Sequence, residues 1–351
     1  MLNLYDKNGY VDIGAVLSLG LPFNFIWGGR GTGKTYGSLK HALDNDIKIM
    51  YTRTSQVQAD LIRTPEFFPY KKINADTGGN VIVLPVNKNQ SAFYHGEVDE
   101  KGKLKPISEP IGYSCALSTI ANLRGFDASD VKLWIYDEFV PEKSERGLGD
   151  KQAYAFFNGY ETMNRNREMA GEKPLQVLCL SNSESADCDI FMRLGLVTKV
   201  ADMTRRNQNL SIFRDRGIAL INLWDSPISK RKSEDVLYNL VGKNSDFYRM
   251  SIENDFYSLD FRDVSSMPIS EYVLVTHVGE IYIYEHKSND TLYVSENMHG
   301  TPESNFGTDT RSLSAFRREY SWMWEYYMDY EITFETIECK ILFEKYFKNN
   351  V

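Results

Sequence analysis

The stretch Gly28-Gly-Arg-Gly-Thr-Gly-Lys-Thr35 constrains the fold of this chain more than any other part of the sequence. It fits the pattern G-x-x-x-x-G-K-[ST], which predicts a glycine-rich loop that wraps around phosphate groups. A short apolar run, Phe23–Trp27, precedes the loop, and a helical pattern, Thr35–Leu43, follows it. Strand, loop and helix in this order are the context that the motif requires, so we predict a P-loop at the edge of an α/β sheet.

Glycines give such a loop its chemistry because they let the backbone curl tightly and direct successive N–H groups at phosphate oxygens. The helix that follows adds the positive end of its dipole at the same place. We assign Lys34 to the β- and γ-phosphates of ATP and the Thr35 hydroxyl to Mg²⁺, so ATP and Mg²⁺ are the predicted cofactors. Arg30 is a candidate for contact with the nucleotide or with a neighbouring subunit. The predicted nucleotide-binding residues are Gly28, Gly29, Arg30, Gly31, Thr32, Gly33, Lys34 and Thr35.

A second signal is the run Lys132-Leu-Trp-Ile-Tyr-Asp-Glu138, an apolar strand pattern that ends in two adjacent carboxylates. It fits the Walker B element of P-loop ATPases. We predict that Asp137 holds the Mg²⁺ shell, directly or through water, and that Glu138 orients and deprotonates the attacking water. The two carboxylates can divide these tasks because successive side chains of a strand point in different directions. The alternative is a solvated Asp-Glu pair in a turn.

A third strand pattern, Leu178–Asn182, also ends in polar side chains. In ATPases of this kind the strand beside Walker B carries a sensor of the γ-phosphate. Asn182 and Ser181 are the candidates for that role here. An ordinary turn at the end of a strand is the alternative.

Arginine side chains are the remaining candidates, because phosphoryl transfer develops negative charge that one lysine and one metal ion do not fully offset. Arg165 and Arg167 lie at the end of the helix predicted after Walker B. Arg124 lies in the loop before Walker B, and Arg53 ends the second predicted strand. Any of these four could act as an arginine finger on a neighbouring subunit, or be an ordinary surface arginine.

The order of the predicted elements indicates an α/β protein. Strand and helix patterns alternate over residues 23–182, and several strand patterns are continuous apolar runs, as expected for parallel strands buried on both faces. The charged, turn-rich segment 96–110 predicts a hairpin or loop at the periphery of the sheet. The predicted strands are Phe23–Trp27, Ile47–Arg53, Val81–Val86, Tyr113–Leu117, Val131–Tyr136 and Leu175–Leu180, and the predicted helices are Thr35–Leu43 and Asp150–Arg167.

The chain changes character after residue 200, and its 351 residues suggest about two domains. Clustered arginines and lysines over 200–255 predict a helical or irregular linker. Strand patterns followed by helix patterns then predict a small α+β domain. We therefore predict an ATPase domain over residues 1–200, a linker or lid domain over 201–257 and a C-terminal domain over 258–351. The C-terminal elements are a hairpin at Glu271–Val278 and Glu280–Lys287, a strand at Thr291–Ser295, and helices at Asp309–Asp329 and Thr333–Lys348.

Composition narrows the possible functions. The net charge of −8 argues against a protein that coats nucleic acid indiscriminately, although a local basic patch, such as the inner rim of a ring, is compatible with it. No apolar run of about 18 residues is present, so we expect no membrane span. The four cysteines lack C-x-x-C spacing, which suits a reducing cytosol and disfavours a metal or disulfide framework. The first residues lack the basic and apolar regions of a signal peptide.

Five sequence blocks together resemble the genome-packaging ATPases, or DNA encapsidation proteins, of small tailed bacteriophages. Their order and spacing agree over residues 20–185. The match is looser over Lys230–Phe256, where Ser251–Phe256 is similar to the family, and beyond that the similarity is one of layout alone. The last two blocks are more specific than the Walker motifs, which many NTPases share. The blocks are the loop Gly28–Thr35, Arg53, Asp-Glu-Phe at Asp137–Phe139, Arg-Asn-Arg-Glu at Arg165–Glu168, and Cys-Leu-Ser-Asn at Cys179–Asn182.

This resemblance implies an ASCE-type P-loop ATPase domain with a mainly parallel sheet, a linker domain, and a C-terminal domain similar to a degenerate RNase H-like nuclease. It implies a pentameric ring of identical subunits, in the host cytoplasm and then at the portal, or connector, of an empty procapsid. ATP hydrolysis in such a ring drives double-stranded DNA inward; the participation of a structural RNA stays open. Arg165 matches the family's trans-acting arginine finger, and Arg124 falls where a second trans-acting basic residue is expected.

One departure concerns DNA contact. The family can place a lysine that faces DNA after the second strand, where this chain has Thr54-Ser-Gln56. Lys101, Lys103 and Lys105 of the charged hairpin are alternative candidates, unless that hairpin is simply a solvated loop.

The C-terminal domain lacks the signature of an active nuclease. Cleavage by two metal ions needs several carboxylates that converge on the metals. Asp260, Asp263, Glu280 and Asp290 show no such spacing. We therefore expect a scaffold that contacts DNA or the portal.

Two other functions fit the loop motif. One is another ring ATPase, such as a helicase or a remodeller of proteins. The other is a P-loop nucleotide switch with little turnover, although a signalling GTPase would need an N-K-x-D block that Asn87-Lys-Asn-Gln90 does not supply.

Overall fold

The computed structural model describes residues 2–123, 128–140, 148–182, 188–232, 235–241 and 262–348. The chain divides into two compact units, which are described separately. The first unit comprises Met1–Arg193 and Val200–Tyr257, and the second comprises Leu194–Lys199 and Ser258–Val351. In the described residues, no helix is long and apolar enough to cross a bilayer.

The first unit is built on a sheet of ten described strands in the order β3-β4-β6-β2-β7-β8-β1-β10-β9, with β5 paired to β4. Six neighbouring central strands run parallel, in the spatial order β6-β2-β7-β8-β1-β10. Antiparallel strands lie on both sides of them. The predicted α/β class with a mainly parallel sheet is therefore confirmed. The strands are β1 Phe23–Trp27, β2 Ile49–Arg53, β3 Val81–Asn87, β4 Gln90–Val98, β5 Leu104–Pro106, β6 Gly112–Ala116, β7 Leu133–Asp137, β8 Gln176–Ser181, β9 Leu210–Phe213 and β10 Ile218–Asn222.

Helices of the first unit lie between these strands along the chain. They are α1 Ile13–Leu17, α2 Lys34–Asp44, α3 Gln56–Leu61, α4 Lys71–Thr77, α5 Gln152–Asn164, α6 Asp189–Arg193, α8 Pro227–Lys232 and α9 Val236–Val241, and α7 Val197–Arg205 runs from the second unit into the first. Every residue of β7 and β10 is buried, because side chains on both faces meet apolar partners. This burial explains why these strands read as continuous apolar runs.

Aromatic side chains fill one face of the central sheet. Phe25 of β1 packs against Phe139 and Phe191, with ring centroids 5.6 and 5.3 Å apart. Trp134 of β7 stacks on Phe156 of α5 at 5.0 Å. These contacts fix α5 on the sheet and hold the end of β7 in place.

Two sequence interpretations of this unit have different outcomes. Segment 96–110 forms the predicted peripheral hairpin, with Gly96–Val98 of β4 paired to Leu104–Pro106 of β5. The interpretation of 200–255 as helical or irregular is wrong for residues 210–222, because β9 and β10 lie there and β10 pairs in parallel with β1. The basic residues on either side of this segment masked the pattern of β10, which is a short buried apolar strand.

The second unit contains a five-stranded sheet with the order β14-β11-β12-β13-β15. The predicted hairpin around Gly279 is confirmed, since β11 and β12 pair antiparallel. Its described strands and helices are β11 Tyr272–Val278, β12 Ile281–His286, β13 Leu292–Ser295, β14 Ser304–Phe306, β15 Ile332–Phe334, α10 Thr310–Glu319, α11 Trp322–Met328 and α12 Ile337–Phe347.

Three details of the C-terminal prediction are wrong. The helix predicted over 309–329 is two helices, interrupted at Tyr320 and Ser321. The helix predicted over 333–348 begins only at Ile337, because Ile332–Phe334 pairs with β13 as an edge strand. Strand β14 was not predicted at all. Strands of three residues carry too few alternating positions to be recognised in a sequence.

The turn at Gly279 supports a stability prediction. Gly279 has φ +59°, and a Cβ there would lie 2.7 Å from Tyr346 Cζ. We expect Gly279→Ala to lower the free energy of unfolding by roughly 2–4 kcal/mol, because backbone strain and a steric clash add up. Gly195→Ala is the matched control, since Gly195 has the same φ but nothing within 4 Å of a Cβ. Urea unfolding of both variants measures the difference; equal losses would contradict the steric part.

Candidate active site

The predicted site residues meet where parallel strands end at one edge of the sheet. Trp27, the last residue of β1, lies beside Ser181 of β8, and Leu180 of β8 lies beside Asp137, the last residue of β7. The glycine-rich loop, Asn182 and Glu138 directly follow these three strands. Parallel strands place their ligands at this edge, so the topology alone brings the three motifs together.

Glycine is required inside the loop for two reasons. Gly31 and Gly33 have φ of +76° and +91°, a conformation that other residues adopt only at a cost. At Gly28, a Cβ would lie 2.6 Å from Leu223 Cβ, so the loop packs directly on the residue after β10. The buried Thr32 hydroxyl donates to Gly29 O at 3.0 Å and ties the loop together. Helix α2 begins at once at Lys34, so its first N–H groups face the loop.

The ammonium of Lys34 is buried under this loop. Nζ donates to Gly28 O at 2.7 Å, to Gly29 O at 3.0 Å and to Thr32 Oγ1 at 3.2 Å. Burial lowers the pKa of Lys34 to about 7, although the charges of Asp137 and Glu138 oppose this shift. Carbonyl dipoles are weak counterions, so phosphate oxygens would be stronger partners for this ammonium than the carbonyls of the loop.

Oxygen ligands suited to Mg²⁺ lie beside Lys34. The Thr35 hydroxyl donates to both carboxylate oxygens of Asp137, at 3.1 and 3.0 Å. The Tyr51 hydroxyl donates to Asp137 Oδ2 at 2.8 Å and fixes the orientation of the carboxylate. Burial and the Asp137 charge raise the pKa of Tyr51 well above its ordinary value, so Tyr51 stays a neutral donor. Hydroxyl and carboxylate oxygens are the ligands that Mg²⁺ prefers, so Thr35 and Asp137 fit the predicted metal role.

Glu138 is held in an unusual backbone conformation beside this pair. Its φ is +56°, and the next N–H, that of Phe139, donates to Leu180 O at 3.1 Å. The Arg53 guanidinium donates through NH2 to Glu138 Oε2, and its NH1 lies 3.8 Å from Asp137 Oδ2. Burial alone would lower the pKa of Arg53, but the neighbouring Tyr51, Asp137 and Glu138 outweigh it, and the pKa is raised. The guanidinium therefore stays charged and neutralises the carboxylate edge.

The structure separates the four candidate arginines. Arg53 pairs with Glu138 of its own chain, so it acts within the subunit rather than on a neighbour. Arg167 is buried, and its guanidinium donates to three backbone carbonyls, including Val131 O at 2.6 Å, so it clamps the loop before β7. Arg124 lies outside the described residues.

Arg165 lies away from the P-loop of its own chain. Helix α5 runs from the end of β7 to the start of β8, where Asn164 Oδ1 accepts from Leu175 N at 2.8 Å. Because the two strands are parallel, the start of β8 is at the opposite edge of the sheet from Asp137. Arg165 follows α5 with φ +46°, and its side chain is exposed. It cannot serve the nucleotide of its own subunit from that edge.

Three residues near the site were not predicted to contact it in this way. Tyr51 and Arg53 belong to β2, which pairs in parallel with β7, so the strand order brings them to Asp137 and Glu138. Lys232 ends α8, and its Nζ donates to Arg30 O at 2.8 Å, within the loop. The arginine at the end of β2 was a visible signal, whereas Lys232 lies in a basic run that resembles a solvated face.

The strand order defines the class of protein. Strand β8 lies between the P-loop strand β1 and the Walker B strand β7, and β10 flanks β1 on the other side. A P-loop fold with an additional strand between its two Walker strands is the ASCE type, which the resemblance to packaging ATPases implied. The fold of this chain is therefore that of the ASCE class.

Comparison with known proteins identifies the family. The Podovirus DNA encapsidation protein (Gp16) family matches residues 5–314, so this chain belongs to that family. The DNA packaging protein of Bacillus phage phi29 is 23% identical over 256 residues, which are 72% of this chain and 67% of that protein. The DNA packaging protein of Bacillus phage B103 is 26% identical over 246 residues, 69% of this chain and 66% of that protein.

Two solved structures share the fold over nearly the whole chain. The phi28 gp11 DNA packaging motor superposes with a TM-score of 0.62 at 18% identity and covers 98% of this chain and 100% of its own. The phi29 viral genome packaging motor assembly superposes with a TM-score of 0.63 at 16% identity and covers 98% and 99%. At these identities the likeness concerns the fold.

The carboxylates of the second unit do not assemble into a metal site in the described ranges. No group of three or more His, Cys, Asp and Glu side chains is arranged there to hold a metal ion. Asp263 instead pairs with Lys340, with Oδ1 and Nζ 2.7 Å apart and both side chains buried. Asp260 lies outside the described residues.

The lowered pKa of Lys34 gives a pH prediction. Above about pH 7 the empty site holds much of Lys34 neutral, and a bound triphosphate favours the charged form, so ATP binding should take up a proton. Calorimetry of a non-hydrolysable ATP analogue near pH 8, in two buffers of different ionisation enthalpy, measures this uptake, which approaches one proton per nucleotide. In Lys34→Arg the uptake should disappear, because a guanidinium does not titrate in this range. Wild-type binding without proton uptake would contradict the prediction.

Proposed function

We propose that this chain is the ATPase subunit of a ring motor that moves double-stranded viral DNA into a preformed procapsid. The observation that carries the proposal is the convergence of Lys34, Thr35, Asp137 and Glu138 at one edge of an ASCE-type sheet. Membership of the DNA encapsidation family supports the substrate. Its relatives are named as DNA packaging proteins and as packaging motors.

The loop residues would bind the triphosphate. Lys34 would exchange the carbonyls of Gly28 and Gly29 for phosphate oxygens, which are stronger partners of an ammonium. The backbone N–H groups of the loop and of the start of α2 would hold the other phosphate oxygens. Thr35 and Asp137 would hold Mg²⁺, which on binding offsets the negative charge of the phosphates and orients them.

Glu138 would act as the general base for the attacking water. In the described state Arg53 occupies Glu138 Oε2, so this bond weakens the carboxylate as a proton acceptor. Hydrolysis therefore requires Arg53 to move away from Glu138 or to share it with the water. Asn182, beside the loop at the end of β8, is suited to contact the γ-phosphate or that water.

Arg165 would complete the site of a neighbouring subunit. Its position at the far edge of the sheet excludes it from its own nucleotide, while its exposure leaves it accessible to another chain. Arg124, outside the described residues, stays a second candidate. Hydrolysis that needs a guanidinium from next door would depend on ring assembly. Loss of the γ-phosphate would then release one subunit from the next and drive a change in the ring.

Membership of the DNA encapsidation family supports a location for the ring and a set of partners. We propose a pentamer at the portal vertex of the procapsid, assembled from protein in the host cytoplasm; the role of a structural RNA stays open. The C-terminal domain over 258–351 would be an RNase H-like scaffold that contacts DNA or the portal. A linker between it and the ATPase domain would begin after β10, since β9 and β10 belong to the ATPase sheet.

The peripheral hairpin is the better candidate for DNA contact. Thr54, where the family can carry a lysine nearby, is buried and bonds the Tyr136 hydroxyl at 2.9 Å, and Ser55 caps α3. Lys101, Lys103 and Lys105 are all exposed on the β4–β5 hairpin. Contacts from these lysines to DNA phosphates would be independent of sequence and sensitive to salt.

Mixing two inactive variants tests the trans arrangement. We expect Glu138→Gln and Arg165→Ala each to lose hydrolysis, the latter by roughly 10³-fold, because the base and the finger act in the same transition state. Equal mixing should restore activity at the interfaces where a Glu138 site meets an intact Arg165, roughly a quarter of them in a random ring. ATPase assays with double-stranded DNA and procapsids measure this recovery.

The control variant is Lys173→Ala, an exposed residue between α5 and β8 that should keep full activity. An absence of rescue at every mixing ratio, with both variants folded and assembled, would contradict a trans-acting Arg165. Hydrolysis that proceeds equally well without DNA and procapsids would argue for another kind of ATPase.

A further inference from the structure

We propose that Lys232 is a second phosphate-binding lysine of the nucleotide site, supplied by the segment after β10. The inference rests on the proposed ATPase function and adds to it a residue outside both Walker motifs. Lys232 is the last residue of α8, which follows β10 through a short turn. Strand β10 pairs in parallel with β1, so both the P-loop and this turn leave the sheet at the same edge.

The lysine reaches the middle of the loop. Its Nζ donates to Arg30 O at 2.8 Å, and a Cβ at Gly31 would collide with this ammonium and lie 3.0 Å from Lys232 Cε. The glycine at position 31 leaves room for the ammonium in this position, from which a larger residue would displace it. The contact is specific to Lys232, since the neighbouring Arg231 is exposed and Lys232 is half-buried.

The local charge balance favours an anion at this point. The carboxylates of the site are already engaged, Asp137 by Thr35 and Tyr51, and Glu138 by Arg53. The ammonium of Lys232 faces a backbone carbonyl, that of Arg30. Lys34 and Lys232 both donate to carbonyls of the loop, and the oxygens of a triphosphate would be stronger partners for both amines.

The start of α8 is packed against the first unit, although two serine hydroxyls near it lack hydrogen-bond partners among the described residues. Ile228 is buried, and Pro227 lies against Gly9, where a Cβ would approach Pro227 Cβ to 2.7 Å. The side-chain oxygens of Ser226 and Ser229 are buried without a hydrogen-bond partner among the described residues. The packing of Pro227 and Ile228 fixes the start of α8 and therefore the position from which Lys232 reaches the loop.

The experiment compares nucleotide affinity in matched variants. We expect Lys232→Gln to weaken binding of a non-hydrolysable ATP analogue by about tenfold or more, the usual effect of losing a charge-assisted hydrogen bond. The variant should also show a shallower dependence of affinity on salt, because one cation fewer meets the phosphates. Lys232→Arg should retain most of the affinity. Arg231→Gln removes the same charge one residue away and should behave like the wild type.

The outcomes separate this inference from the proposed function. A wild-type protein that does not bind the analogue, or a Lys34→Ala variant that binds it normally, would overturn the ATPase site itself. With both of those results as expected, equal affinity and equal salt dependence in Lys232→Gln and Arg231→Gln would overturn the role of Lys232. Tighter binding in Lys232→Gln would overturn it as well, because the lysine would then be a competitor that blocks the loop. Should Lys232→Gln fail to fold, Lys232→Met provides the same test.

Discussion

The ammonium of Lys34, buried under a loop of backbone carbonyls, is the interaction on which the site depends. Backbone carbonyls stabilise a charge in this position only weakly, which is why burial lowers the pKa of Lys34 to about 7. The same arrangement makes the loop selective for a polyanion. Asp137 and Glu138 favour the charged form of Lys34, but their carboxylate oxygens also accept hydrogen bonds from Thr35, Tyr51 and Arg53.

The edge of the sheet therefore holds two sets of charged groups with different partners. The positive groups of the loop face backbone carbonyls, which phosphate oxygens would replace. The carboxylates at the end of β7 accept hydrogen bonds from residues of α2 and β2. A bound triphosphate with its metal ion would rearrange both sets at once. In the proposed mechanism, this coupling would let the presence or absence of one phosphate group change contacts on several strands, while the exposed Arg165 at the opposite edge would act on the next subunit.

The sequence was sufficient for the class of fold, and the structure brings the predicted residues Lys34, Thr35 and Asp137 together at one edge of the sheet. Glycines at Gly31 and Gly33, a lysine after them and two carboxylates after an apolar strand leave few alternatives, because each is tied to a local backbone geometry. The sequence was insufficient where strand order decides a contact. Arg53 pairs with Glu138 because β2 lies beside β7, and β10 was overlooked because its five buried residues are flanked by basic segments. Arg167 looked like a possible finger, but its guanidinium is buried against carbonyls.

The most direct test of this account is a structure of the assembled Glu138→Gln variant with Mg²⁺ and ATP. The account predicts that Lys34 Nζ leaves Gly28 O for the phosphates, that Thr35 and Asp137 hold the metal ion, and that Arg165 of the adjacent subunit reaches the γ-phosphate. It would be contradicted by ATP held within one subunit while Lys34 stays on the loop carbonyls and no basic side chain arrives from the neighbour.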